Sequence, residues 1–291
     1  MEIRVIICPI DFSSISVRTY RHALSLAEHY QAKLLAVHVI EEWRYSSADF
    51  AASAHDLNEF YRGLHEVGSR RLREFVKNHT HNELDPELIV ERGSTSDSIL
   101  TLAETQKADV LVMGTHGQRG FDRLVLGSTT DRVMRTAPRP VIVVPPQDTM
   151  ALGDDLHSIR HLKRILFCAD FSTNSEGALR YAISVADEYD AELILVHVLE
   201  DGPSPDKVEE NKAKAMDQLN GLLPADPLRK IRTAVRIGKP YRELIRYAQE
   251  EQPDLAAMGV RGRGALDIAV FGSTTYRVMQ LGACPVLAVH V

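Results

Sequence analysis

The sequence predicts two consecutive α/β domains, each a doubly wound, mainly parallel five-stranded sheet. Three observations carry that expectation. The chain repeats itself, short aliphatic runs alternate with stretches of helical periodicity, and a glycine-rich pattern follows the fourth aliphatic run of each repeat. Asp11-Phe12-Ser13 aligns with Asp170-Phe171-Ser172, and the run LLAVHVIE at 34–41 with LILVHVLE at 193–200, both 159 positions apart. By Gly93 and Gly238 the separation is 145, so 14 residues are missing from the second copy, after its second strand.

The elements follow in order. An aliphatic strand (4–10; 163–169) precedes a helix whose small and apolar residues recur at helical spacing: Ala23, Leu24, Ala27 and Ala182, Ile183, Ala186. The second strand (33–40; 192–199) is continuously aliphatic, the composition of a strand buried on both faces. Next comes a long amphipathic helix in copy one, marked by Leu57, Phe60, Leu64, Val67, Leu72, Phe75 and Val76, and a shorter one (205–222) in copy two. The long helix carries Arg70, Arg71, Arg73 and Lys77, which read as a solvated face rather than a partner site. Strand three (87–91; 230–235) leads through Gly93 or Gly238 into a third helix. Strand four (109–113; 254–258) ends at the glycine pattern, a fourth helix follows, and an aliphatic strand (141–144; 286–289) closes each copy. Alternation of this kind requires right-handed crossovers and parallel strands. The polar stretch after Pro145-Pro146 reads as a connection, dividing the chain into 1–146, 147–161 and 162–291.

Composition narrows the function classes. The 291 residues are 44% hydrophobic, enough for two cores, with a net charge of -6 and no run of five basic residues. Binding to nucleic acid or an anionic membrane by bulk charge is excluded. Cys8, Cys168 and Cys284 are scattered and lack a C-x-x-C spacing, so they suggest neither a disulfide framework nor a zinc site. The chain opens on a strand pattern rather than a signal segment, and nothing approaches 18 uninterrupted apolar residues. The expectation is a soluble, unexported protein of the reducing cytoplasm.

The pattern Gly-x-x-Gly, nine residues, Gly-Ser-Thr occurs twice: Gly114, Gly117, Gly127, Ser128, Thr129, and Gly259, Gly262, Gly272, Ser273, Thr274. Glycines let backbone amides approach an anion, and the hydroxyl pair opens the next helix at its positive end. His116 and Arg119, or Arg261 and Arg263, are available as cations. The pattern is neither a Walker A motif nor the dinucleotide fingerprint after strand one. Ligands of open parallel sheets sit at the carboxyl ends of strands near the reversal of strand order, where these loops and Asp11, Asp170, Val39 and Val198 all fall. Asp11 suits a ribose hydroxyl or amine, and equally a helix N-cap.

On these residues each half resembles a universal stress protein domain, and the chain a tandem member of that family. The resemblance covers nearly everything outside the connection and the variable region. Its most specific part is the complete G-2x-G-9x-G-(S/T) pattern in both halves, preceded by Met113 or Met258 and supported by Pro9-Ile10-Asp11 or Cys168-Ala169-Asp170. It implies a Rossmann-like, adenine-nucleotide alpha-hydrolase-like fold and membership of the ATP-binding branch. Asp11 and Val39 would flank adenine and ribose, Gly114 and Gly117 would approach ribose and phosphates, and Gly127, Ser128 and Thr129 would hold the phosphates. Asp170, Val198, Gly259, Gly262, Gly272, Ser273 and Thr274 would do the same in copy two. There Cys168 stands for Pro9 and Arg261 for His116, which favours the first site. The family's habit of pairing last strands implies association of 141–144 with 286–289 within one chain, and a homodimer is a further expectation.

The leading reading is a cytoplasmic stress-response protein binding ATP, or AMP or ADP, with Mg or Mn held through the phosphates. A slow ATPase, with Glu41 or Glu200 as nearby carboxylates, is one alternative. The other is an adaptor using the long helix with Trp43, Tyr45 and Phe50. No catalytic triad order appears, and His79 with His81 reads as a solvated helix end rather than a metal site.

Overall fold

The computed structural model describes residues 2–42, 54–81, 83–117, 126–146, 161–200, 207–223, 230–260 and 272–290. In the first half β1 (Val5–Pro9), α1 (Ser14–Tyr30), β2 (Lys33–Glu41), α2 (Ala54–His79), β3 (Glu87–Gly93), α3 (Thr95–Thr105), β4 (Val110–Gly114), α4 (Ser128–Thr136) and β5 (Val141–Val144) alternate without exception. The second half repeats them as β6 (Arg164–Ala169), α5 (Thr173–Tyr189), β7 (Glu192–Leu199), α6 (Val208–Gly221), β8 (Ile231–Ile237), α7 (Pro240–Glu251), β9 (Leu255–Gly259), α8 (Ser273–Leu281) and β10 (Val286–Val289). The missing stretch of copy two falls mainly on its second helix: α2 has 26 residues and α6 has 14.

All ten strands join in one sheet, ordered β3-β2-β1-β4-β5-β10-β9-β6-β7-β8. Each half is parallel throughout and reverses its strand order beside the first strand, between β1 and β4 or β6 and β9. The halves meet at an antiparallel seam, Val286 opposite Val143 and Ala288 opposite Val141. Both seam strands are buried at every position. An aliphatic strand left unpaired at a sheet edge would expose apolar surface and a row of backbone groups, and the seam removes both liabilities.

Two cores sandwich the sheet. Helices α1, α2, α5 and α6 cover one face, through Tyr20, Leu72, Ala182 and Leu219, and α3, α4, α7 and α8 cover the other, through Ile99, Met134, Tyr247 and Met279. Strands buried on both faces explain the continuous aliphatic runs. The alanines of α1 and α5 let these helices lie close to the sheet, with Ala23, Ala27, Ala178 and Ala182 fully buried. Their ends are matched pairs. Ser13 and Ser172 accept hydrogen bonds from the Ser16 and Ser175 amides, and Gln31 and Asp190 close the C-termini in the left-handed conformation. Asp109 accepts from the Arg4 and Val5 amides and Asp254 from those of Lys163 and Arg164, so each first strand is clamped where the fourth begins.

Candidate functional site

The carboxyl ends of β1, β2 and β4 open into a cleft of about 770 Å3, within the range of small-ligand sites. Pro9, Ile10, Asp11, Val39, Met113, Gly114, His116, Gly117, Gly127, Ser128 and Thr129 all line it, so every residue proposed for the first site reaches one cavity.

Directly after β1 the chain turns through Phe12 at φ 65°, a left-handed conformation costly for a bulky residue. Asp11 holds that turn: its Oδ1 accepts from the Ser13 amide at 3.0 Å and the Ser13 hydroxyl at 2.6 Å, and from Ser16. Asp11 is therefore not itself the N-cap but the support of one. Ser13 is the N-cap of α1, Asp11 fixes that cap, and its other oxygen faces the glycine loop, 2.6 Å from where a Cβ on Gly117 would stand. Glycine at 117 is what lets the loop close over the carboxylate. Phe12 lies on His38, ring centroids 4.5 Å apart, and His38 Nδ1 donates to the Ile10 carbonyl at 2.8 Å. Burial, the largest influence, depresses the His38 pKa, and the nearby Arg71 charge acts in the same direction.

The opposite wall is the glycine loop. A Cβ on Gly114 would come within 3.1 Å of Ile15 and 3.2 Å of Thr19 Oγ1, so a side chain here would press on the packing of α1 against β4. The Gly127 amide donates to the Thr115 carbonyl at 2.7 Å, and Thr130 donates its hydroxyl to the Gly114 carbonyl at 2.7 Å. Both bonds aim the N-terminus of α4, with exposed Ser128 and half-buried Thr129, into the cleft. That N-cap has no side-chain acceptor, which leaves first-turn amides to a ligand or solvent. His116 is bonded through Nδ1 to Thr115 Oγ1 at 2.8 Å, while its Nε2 is buried without a hydrogen-bond partner among the described residues. An orphaned polar atom and a row of helix-start amides on one wall fit an anionic ligand with hydroxyl groups.

Arg70, Arg73 and Lys77 of α2 are exposed, as a solvated face requires, and Arg71, exposed as well, has a second role. Arg71 lines the cleft and stacks its guanidinium 4.3 Å from the Phe12 ring centroid. Leu64, Val67 and Gly68 join it, as do Thr95 and Ile99 of α3. None of these was singled out as a ligand contact. The available signal was spacing, since 64, 67, 68 and 71 fall on one helical face. Glu41 reaches the cleft rim.

The second half reproduces the frame with altered detail. Asp170 Oδ1 accepts from the Ser172 amide and hydroxyl, Phe171 is again left-handed, and His197 donates to the Ala169 carbonyl at 2.7 Å. Thr275 bonds the Gly259 carbonyl at 3.0 Å. A Cβ on Gly259 would meet the Asn174 backbone at 2.9 Å, a harder limit than the side-chain contacts at Gly114. Val198 is 8% exposed, and Met258 is buried. Gly272, Ser273 and Thr274 open α8 as their counterparts open α4, but buried Val260 replaces Thr115 and removes its hydroxyl. Arg119, Arg261, Gly262 and Arg263 lie outside the described residues, as do Trp43, Tyr45, Phe50 and 147–160. Among the described residues no group of three or more His, Cys, Asp or Glu could hold a metal ion, and no helix is long and apolar enough to cross a membrane.

Fold and cleft together define a tandem doubly wound α/β protein with a cleft at the strand-order reversal of its first half. The model of the Universal stress protein family matches residues 2–145 and again 161–290. Universal stress protein MJ0531 of Methanocaldococcus jannaschii is 30% identical over 139 residues, 48% of this chain and 80% of that protein. A universal stress protein of Mycolicibacterium smegmatis is 30% identical over 199 residues, 65% of each chain. The crystal structure of a universal stress protein from Archaeoglobus fulgidus shares the fold at a TM-score of 0.65 and 21% identity, covering 98% of this chain and 95% of that one. This chain belongs to the universal stress protein family and carries two of its domains.

Proposed function

We propose that the protein binds an adenine nucleotide, ATP in the first instance, in the cleft of its first domain, and acts as a nucleotide-responsive regulator in the cytoplasm. The observation that carries this reading is the cavity in which Asp11, Val39 and the start of α4 meet, with His116 Nε2 buried on its wall without a partner among the described residues. Val39, Ile40 and Met113 supply apolar contact for a base, and Asp11 lies where a ribose hydroxyl can donate to it. The amides of Gly127, Ser128 and Thr129 suit phosphates. A divalent cation, Mg or Mn, is read as held through those phosphates, whose charge it would partly neutralise. Gly272, Ser273 and Thr274 offer the equivalent phosphate end in the second domain, where Val260 and Asn174 alter the surroundings. We assign sensing to the chain as a unit because the two α/β halves share one sheet. Association of two chains belongs to the same reading.

Calorimetric titration of nucleotide-stripped full-length protein with Mg-ATP tests it. One or two sites per chain are expected, with Asp11→Ala abolishing the first. Absence of heat and of any thermal stabilisation by Mg-ATP would overturn the reading.

A further inference from the structure

A side chain of α8 reaches the residue that precedes α4. Tyr276 lies in the first turn of α8, two positions beyond Thr274, and reaches across the β5–β10 seam into the first domain. Its hydroxyl accepts a hydrogen bond from the Leu126 amide at 3.2 Å. Leu126 is buried and immediately precedes Gly127, the N-cap of α4. Consecutive amides of this segment are thus fixed from opposite sides, Leu126 by the second domain and Gly127 by the Thr115 carbonyl of its own. The ring of Tyr276 packs against the core of the same sheet face that α4 covers.

Among the described residues the contact has no mirror image. The position equivalent to Tyr276 in the first domain is Asp131, a shorter side chain whose two oxygens are each bonded at 2.9 Å by Arg135 one turn later. The α8 side chain thus holds the amide that precedes α4, and no described side chain of α4 holds its counterpart.

We propose that Tyr276 is a positioning residue that couples the start of α4, the phosphate end of the first cleft, to the start of α8. An anion settling on the first turn of α8 bears on the helix that carries Tyr276, and the Tyr276 hydroxyl passes any shift to the amide just before Gly127. Thermodynamic reciprocity requires the converse, so ligand at α4 changes affinity at α8 by the same factor. The inference rests on the nucleotide reading above and adds a coupling to it: occupancy at either helix start changes the affinity at the other.

The test is calorimetry on full-length protein with Mg-ATP and, separately, adenosine, which lacks phosphates. Tyr276→Phe retains the ring and removes the acceptor. First-site affinity for Mg-ATP should fall about three- to tenfold, the worth of one hydrogen bond. Adenosine affinity should stay unchanged, whereas general loosening of the fold would lower both. Coupling is read from a double-mutant cycle with Ser273→Asp, which places a negative charge at the second phosphate end. Ser273→Asp should alter first-site Mg-ATP affinity in the wild-type background and leave it unaltered in the Tyr276→Phe background. If wild type binds Mg-ATP and Tyr276→Phe binds it equally well, or the two changes are additive, the coupling is overturned while the nucleotide reading stands. If wild type binds no nucleotide, both fall.

Discussion

Replacing Thr130 by valine isolates the bond that aims α4 at the cleft. Thr130 is 4% exposed, and its hydroxyl donates to the Gly114 carbonyl at 2.7 Å, joining the first turn of α4 to the last residue of β4. Valine preserves shape and β-branching but puts a methyl group against that carbonyl. Loss of a buried hydrogen bond with its acceptor left behind costs about 1–3 kcal/mol. For a chain of this size that lowers the melting midpoint by a few degrees. The same bond sets where the Ser128 and Thr129 amides point, so first-site Mg-ATP affinity should drop together with stability. The paired change Thr275→Val, at the 3.0 Å bond to the Gly259 carbonyl, should cost a comparable amount of stability. Differential scanning calorimetry and nucleotide titration on both variants are the assays. If Thr130→Val melts with wild type and binds Mg-ATP equally well, the latch has no energetic weight and the account of how α4 is aimed is wrong.

Gly117→Ala would set a Cβ 2.6 Å from Asp11 Oδ2, and because Asp11 is held by the Ser13 and Ser16 donors, the glycine loop should yield; nucleotide affinity should fall well beyond any change in melting point. Arg71→Ala should weaken nucleotide binding, and Arg71→Lys should not restore it, because the planar stack on Phe12 needs a guanidinium; equilibrium titration decides. Leu287→Ala at the seam, from a residue 1% exposed, should cost about 2–5 kcal/mol in chemical denaturation. The folded-state pKa of His38 lies below its ordinary 6.5, so below about pH 6.5 the unfolded chain binds a proton that the folded chain resists. Stability should therefore decline as pH falls below that value, and His38→Asn, which keeps a donor for the Ile10 carbonyl, should flatten the decline in pH-dependent denaturation.

The site was legible to different depths at different residues. Gly127, Ser128 and Thr129 could be found because an anion cradle needs glycine and hydroxyls at fixed offsets, and the repeat showed those offsets twice. Gly114 belonged to the same pattern, yet its missing Cβ answers first to Ile15 and Thr19, a packing demand that spacing does not distinguish from ligand approach. Arg71 was missed because a cation on an amphipathic helix looks the same whether it faces water or a cleft. Only the angle at which α2 crosses β2 decides between them. Likewise the Asp-Phe-Ser repeat announced the duplication but not the left-handed Phe12 whose ring contacts both His38 and Arg71.

By itself the sequence determined the alternating elements, the duplication, the parallel halves and the family. Each of these follows from periodicity and local spacing, and local backbone chemistry obeys them without knowledge of distant residues. The tertiary structure alone decided the register of the seam that joins ten strands in one sheet, that α2 lines the first cleft through Arg71, and that Tyr276 of one domain holds Leu126 of the other. Those features join residues far apart in the chain, some of them 150 positions apart. They depend on how twisted strands and packed helices come together, which no local pattern encodes.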